Sequence, residues 1–169
     1  MKLKKIICWP PLLGGFGAGV TIGILAYITF QSILAGTNYG LWLAASFGSS
    51  AVVVFGYPDN EFAQPKNVLL GHLLCALVGI IFVTLFKITQ DRTIFFLTIA
   101  LAVGLSVMLM MALKIAHPPA GGYTIVVMLT QDSFQFLIFP IMVGAITVII
   151  GAIIYNRFIL KKNYPLKWL

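Results

Sequence analysis

Two histidines stand inside otherwise apolar stretches of this chain, and they are the side chains best equipped for chemistry. His117 opens the string His117-Pro118-Pro119-Ala120-Gly121-Gly122. Two consecutive prolines cannot continue a preceding helix, but they suit the first turn of the next one. His117 is therefore expected at a helix break, where its ring can bond freed backbone groups or a ligand. Gly121 and Gly122 permit close backbone approach there. A sharp turn between two spans is the plainer account of the same string. His72 lies in Asn67–Phe86, a run without Asp, Glu, Lys or Arg. An ionisable residue inside an apolar span is a functional candidate by default, as a gate, a proton acceptor or an anion donor. A neutral imidazole bonded to a neighbouring helix is its structural alternative.

Other chemistries lack their residues. The four acids, Asp59, Glu61, Asp91 and Asp132, all fall in predicted loops. No paired carboxylates inside a span are then available for general acid–base work. Two histidines and two distant thiols, Cys8 and Cys75, do not have metal-ligand spacing. No nucleophile triad, no H-E-x-x-H and no phosphate loop is visible. Neither an enzyme, a metal nor a cofactor is expected, and both cysteines are read as reduced thiols.

The elements that must position the histidines follow from composition. Of 169 residues, 60% are hydrophobic and 9% charged, against roughly 25% charged in a soluble domain. Mean hydropathy is +1.04. So few charges cannot coat a water-soluble globule, and so much apolar surface excludes disorder. The class left is an all-α, polytopic membrane helix bundle. Leu12–Leu34, Asn67–Phe86, Ile94–Leu113 and Gln135–Asn156 are each long enough to span. Leu41–Gly56 and Pro119–Thr130 are shorter, and a turn-type cluster, Ala35-Gly36-Thr37-Asn38-Tyr39-Gly40, precedes the first of them.

The order is long, short, long, then long, short, long. It suggests two structural repeats, 12–86 and 94–156. Leu41–Phe55 laid on Leu113–Val127 matches Leu41, Ala44 and Val54 with Leu113, Ala116 and Val126, and Ser49-Ser50 with Gly121-Gly122. Short, interrupted segments in corresponding halves point to a transporter binding site. A helix that begins inside the membrane presents free N–H groups and the positive end of its dipole. The N-termini near Ser49-Ser50 and Gly121-Gly122 are therefore expected to lie together around an anion-sized cavity. Two short helices packed in a bundle with nothing bound is the alternative. If the short segments re-enter, there are four spans. If they cross, there are six, and the repeats are inverted.

Net charge is +7, from 11 basic and 4 acidic residues. The basic residues cluster at the ends: Lys2, Lys4 and Lys5, then Arg157, Lys161, Lys162 and Lys167. Positive-inside topology accounts for them, so nucleic acid is not an expected partner. Both span counts place nine basic residues on the side of the termini and two on the other, so the rule does not choose between them. Residues 1–11 and 157–169 are expected to be cytoplasmic and 12–156 to be a single transmembrane domain. The first apolar run is read as a retained span of a bacterial-type cytoplasmic membrane, not a cleaved signal. Gly15-x-x-x-Gly19-x-x-x-Gly23 is a helix-packing stripe. So small a bundle is expected to form a homo-oligomer, most simply a symmetric dimer.

The chain resembles the HPP family of small integral membrane proteins. The resemblance rests on an ordered set: Ser46-Phe47-Gly48-Ser49-Ser50-Ala51-Val52, then Pro58-Asp59, Ala63-Gln64-Pro65-Lys66-Asn67, Gly71-His72, His117-Pro118-Pro119-Ala120-Gly121 and Tyr164-Pro165. It runs from about Leu12 to Trp168. Lys66 stands where Arg is frequent in the pattern, and Gly122-Tyr123 where a smaller residue followed by Thr is usual. The family is usually drawn with four spans, and some bacterial members carry cytoplasmic regulatory domains, which are not expected in these 169 residues. Some plant members are described as chloroplast nitrite transporters. The resemblance thus implies transport of a small anion, with nitrite as the candidate. The expected substrate-binding set is Ser49, Ser50, His72, His117, Gly121, Gly122, Tyr123 and Thr124. A membrane scaffold or sensor subunit without transport is the competing reading.

Overall fold

The computed structural model describes residues 9–34, 36, 43–89, 94–130 and 134–168. The N-terminal lysines, most of the cluster at 35–40, and the loop acids Asp91 and Asp132 lie outside the described residues. Among those described, the secondary structure is entirely helical. Four helices are long and apolar enough to cross a membrane: Pro11–Gln31, Pro65–Lys87, Phe95–Ala112 and Leu137–Ile159. They belong to α1 (Trp9–Leu34), α3 (Pro65–Thr89), α4 (Phe95–Ala112) and α6 (Val143–Ala152) with its flanks. Of those flanks, Ile153–Ile159 is wound as π-helix, whereas Leu137–Met142 is kinked at Phe139, which is extended (φ −131°, ψ 121°) ahead of Pro140. Two shorter helices complete the set: α2 (Leu43–Gly56) and α5 (Gly121–Thr130).

Close approaches at small residues fix the direction of each helix. A Cβ at Gly14, early in α1, would lie 3.1 Å from the carbonyl oxygen of Phe55, at the end of α2. The two helices are therefore antiparallel. Gly17 faces the ring of Tyr155, and Gly151 faces Thr21, so the last span also runs against α1. Gly71 meets His117 and Ala120, while Gly79 meets Thr124 and Val127. The start of α5 thus lies beside Gly71, and α5 runs parallel to α3. Phe86 meets Phe95 and Cys75 meets Met110, so α4 runs against α3, and the short loop 57–64 turns α3 back along α2. The chain thus alternates direction at every helix. α1, α3 and α5 point one way; α2, α4 and α6 point the other.

In this alternation the short helices run through the bundle and do not turn back within it. If α2 merely re-entered, α1 and α3 would be antiparallel, but they are parallel. Both short helices carry the chain through the bundle. The loops 57–64 and 113–120 and the segment 160–168 then share one end, and Lys87 lies at the other. The halves α1–α3 and α4–α6 are inverted with respect to each other. The packing agrees: α1 on α2 corresponds to α4 on α5, α1 on α6 to α4 on α3, and α2 on α6 to α5 on α3.

The core lies where α2, α3, α5 and the last span meet, around Phe47, Val54, Ala76, Tyr123, Val127 and Val148. The glycines of α1 divide by face. Gly14 and Gly17 are buried, whereas Gly15, Gly19 and Gly23 are exposed, with nothing within 4 Å of an added Cβ. Packing within the chain therefore uses Gly14, Gly17 and Thr21, and the Gly15-Gly19-Gly23 stripe looks outward. Overpacking costs typically about 1–3 kcal/mol. Gly17→Leu should lower the unfolding temperature and folded yield in detergent, because the Tyr155 ring occupies the space. Gly19→Leu should leave both near wild type, since no atom of the chain opposes it.

Candidate functional site

Helix breaks at the shared end bring the two histidines together. α4 ends in a left-handed turn in which Lys114 N–H bonds Met111 O and Ile115 N–H bonds Met110 O. This is the Schellman arrangement that glycine usually closes, yet Lys114 holds it with φ of 54°. A left-handed residue with a side chain costs about 1–2 kcal/mol. The chain then runs extended through His117 into the turn Pro118–Ala120, with proline in its first positions. α3 begins at Pro65 in the same way, after the turn Glu61–Ala63.

The two imidazoles and Ser50 form one hydrogen-bonded set. His117 Nδ1 donates to Phe62 O at 2.7 Å, and His72 Nδ1 donates to Val68 O at 2.7 Å. A carbonyl only accepts, so each Nδ1 carries its ring's hydrogen and each neutral ring presents a bare Nε2. Both Nε2 atoms face the Ser50 hydroxyl, at 2.9 Å from His117 and 3.3 Å from His72. The ring centroids are 5.0 Å apart, and all three side chains are fully buried. Phe47 stacks on His72 at 4.8 Å, and Tyr123 closes its edge at 5.2 Å. The Tyr123 hydroxyl is buried and has no hydrogen-bond partner among the described residues.

Residues outside the predicted set hold the loops around these histidines. Asn67 Nδ2 donates to Ala116 O at 3.0 Å. Gln64 Nε2 donates to Pro58 O and Asn60 O, both at 2.9 Å. Its Oε1 accepts from Leu166 N–H at 2.8 Å and Lys167 N–H at 3.3 Å. Tyr164 donates to Ala63 O at 2.8 Å, and burial pushes its hydroxyl pKa up, which keeps it a donor. A groove of about 640 Å³ opens beside His117, lined also by Glu61, Asn67, Met110, Lys114 and Gly121.

The predicted residues separate into groups. Ser50, His72 and His117 meet, with Tyr123 packed against them. Gly121 lines the groove, and a Cβ there would meet nothing within 4 Å. Thr124 is buried elsewhere: it bonds Ser106 at 2.8 Å and donates to Cys75 O at 3.0 Å. Ser49 lies on the exposed face of α2, and Gly122 is half-buried. The expectation of paired helix starts is corrected. Gly121-Gly122 does open α5, but Ser49-Ser50 lies midway along α2. What meets Ser50 is the break before α5, through His117. α2 ends at the end of the bundle where α5 begins, so their N-termini point apart. Sequence reasoning underweighted Gln64, Asn67 and Tyr164; their polarity beside span ends is the signal that marks them.

Six apolar helices in alternating directions, with buried polar side chains confined to helix breaks and packing faces, define a polytopic integral membrane protein. Residues 5–165 match the family described as HPP, transmembrane region, and the chain belongs to that family. Two transmembrane proteins of Dictyostelium discoideum are similar to it. One is 37% identical over 130 residues, covering 75% of this chain and 45% of the relative. The other is 32% identical over 151 residues, covering 87% and 48%. The chain thus spans about half the length of the curated relatives it matches. No solved structure matches it.

Losing one partner of a buried hydrogen bond costs about 1–3 kcal/mol. Gln64→Ala strands several backbone groups and should lower the unfolding temperature more than Tyr164→Phe, which removes a single donor. Thermal unfolding in detergent, followed by circular dichroism, measures both.

Proposed function

We propose that this chain is a transporter or channel for a small monovalent anion, with nitrite as the candidate substrate. The observation that carries the reading is Lys114. It is held in a left-handed conformation at a groove that reaches His117. Strained residues cluster at functional sites, and this one places a fixed positive charge beside buried hydrogen-bonding groups. Asn67 and Gly121 line the same groove, and Glu61 is its one acidic residue. Ser50, His72, His117, Gly121 and Tyr123 form the proposed path. Ser49, Gly122 and Thr124 contribute at its margins.

The end carrying the termini is proposed to be cytoplasmic. With six crossings it collects nine of the eleven basic residues, including Lys66 and Lys114. A bacterial-type cytoplasmic membrane and one transmembrane domain over 12–156 complete the placement. The outward Gly15-Gly19-Gly23 face is the proposed contact of a symmetric dimer. Gly19→Leu should therefore reduce the detergent-corrected mass from two chains to one. A two-chain mass in that variant would place the contact elsewhere.

Uptake of nitrite into proteoliposomes, with nitrate, formate and chloride as competitors, tests the transport reading. Saturable uptake above empty vesicles is expected. Gly121→Ala should keep it, because the space for a methyl group is open. Gly121→Asp should lower it tenfold or more, about 1.4 kcal/mol of lost stabilisation, by setting a carboxylate in the anion's place. Equal flux in both variants would remove the groove from the path, and no saturable uptake by the unaltered chain would leave the scaffold or sensor role.

A further inference from the structure

Hydrogen counting at the histidine pair shows a deficit. Each Nδ1–H is committed to a carbonyl, at Phe62 and Val68. Two bare Nε2 atoms therefore face one hydroxyl. A serine hydroxyl has one hydrogen, so it serves at most one of them. Turning either ring to its other tautomer would aim a lone pair at a carbonyl oxygen 2.7 Å away. One added proton completes the set. His117 then donates Nε2–H to Ser50 Oγ, Ser50 donates its hydrogen to His72 Nε2, and every ring nitrogen is paired.

We infer that Ser50, His72 and His117 form a binding site for a single proton, relayed between the two rings and carried together with the anion. His117 lines the groove, so a hydronium ion there gives one proton to its Nε2 and leaves as water. Hydrogen then shifts along both bonds: His117 Nε2–H passes to Oγ as the serine hydrogen passes to His72 Nε2. Ser50 ends with one hydrogen, His117 ends neutral and His72 ends as the imidazolium. The charge has crossed from the groove side to the side closed by Phe47 and Tyr123. An anion in the groove balances that charge, so proton and anion cross together without net charge. Among the described residues, the other titratable or charged groups around the pair are Tyr123 on α5, Cys75 one turn along α3, Tyr164 against Ala63, and Glu61 and Lys114 at the groove. Among its described side chains, α2 presents Phe47 and Ser50 to the rings.

The proposal names the coupling ion of the transport reading and rests on it, but proton binding is measurable without transport. The chain has only two histidines, so ¹⁵N-histidine labelling reports this pair alone, and His72→Gln assigns the signals. At alkaline pH both rings should show the Nδ1–H tautomer. On acidification both Nε2 signals should move together in one step that takes up one proton per chain. Ser50→Ala, checked to unfold at a temperature near that of the unaltered chain, should lose the shared step, leaving each ring to respond separately. An Nε2–H tautomer at alkaline pH overturns the site. So does a folded chain whose rings never protonate, or a shared step untouched by Ser50→Ala.

The coupling is read in proteoliposomes containing a pH dye, with empty vesicles subtracting the passage of nitrous acid through lipid. One proton per nitrite is expected, with uptake unchanged by a potassium–valinomycin potential. Potential-driven nitrite uptake without protons overturns the coupling and leaves the transport reading standing. No nitrite flux in the unaltered chain fails the transport reading and overturns the coupling with it, while the proton site is judged by the labelled rings.

Discussion

Lipid offers no hydrogen bonds, and the arrangement of this protein follows from that constraint. Every crossing that starts or stops short must have its backbone satisfied from within the chain. At one end of the bundle the two interrupted loops satisfy each other. His117 donates to the loop before α3, and Asn67 from the start of α3 donates to the loop after α4. Gln64 binds its own loop through its amide nitrogen and the C-terminal segment through its oxygen. Each side chain answers a backbone group that a continuous helix would have satisfied. Gln64, Asn67 and His117 thus stand where the helices are not continuous.

The same exchange places the histidines. Because His117 is tied to Phe62, its ring stands at the level of the first turns of α3, where His72 lies. Because α2 runs against α3, the middle of α2 and not its start passes this level, and Ser50 is the residue that arrives. Gly71 allows the approach: a Cβ there would sit 3.0 Å from His117 Cβ and 3.3 Å from Ile115 O. The inverted halves, each long, short, long, therefore generate one polar set at their meeting point, drawn from α2, α3 and the break before α5.

The fold class, the four long spans, the two short segments and the position of His117 at a helix break were legible in the sequence, since they depend on local composition and on proline placement. The family resemblance rested on motifs that fall at this site: Gln64, Asn67, His72 and His117 all belong to them. The relative direction of the helices was not legible. Nine basic residues fall on one side whether the short segments cross or re-enter, so charge could not decide it. The pairing of helix starts failed for a related reason. The string Ser49-Ser50 reads as a breaker beside a β-branched run, but α2 continues through it because neither serine prevents helix, and Ser50 turns its hydroxyl to the imidazoles. The glycine stripe of α1 was legible as a helix-packing face, but its spacing carries no sign of whether the packing within the bundle uses it. Gly14 and Gly17, at the neighbouring phase, do that packing.

The C-terminal segment has a mechanical consequence. Backbone N–H groups of Leu166 and Lys167 are anchored on Gln64, and Tyr164 is anchored on Ala63. Gln64 and Ala63 lie within two residues of Phe62, whose carbonyl orients His117. The tail is therefore linked to the His117 ring through these hydrogen bonds and two residues of backbone. The tail acts as a tether on the imidazole, and a tag or fused domain attached after Leu169 hangs from that tether.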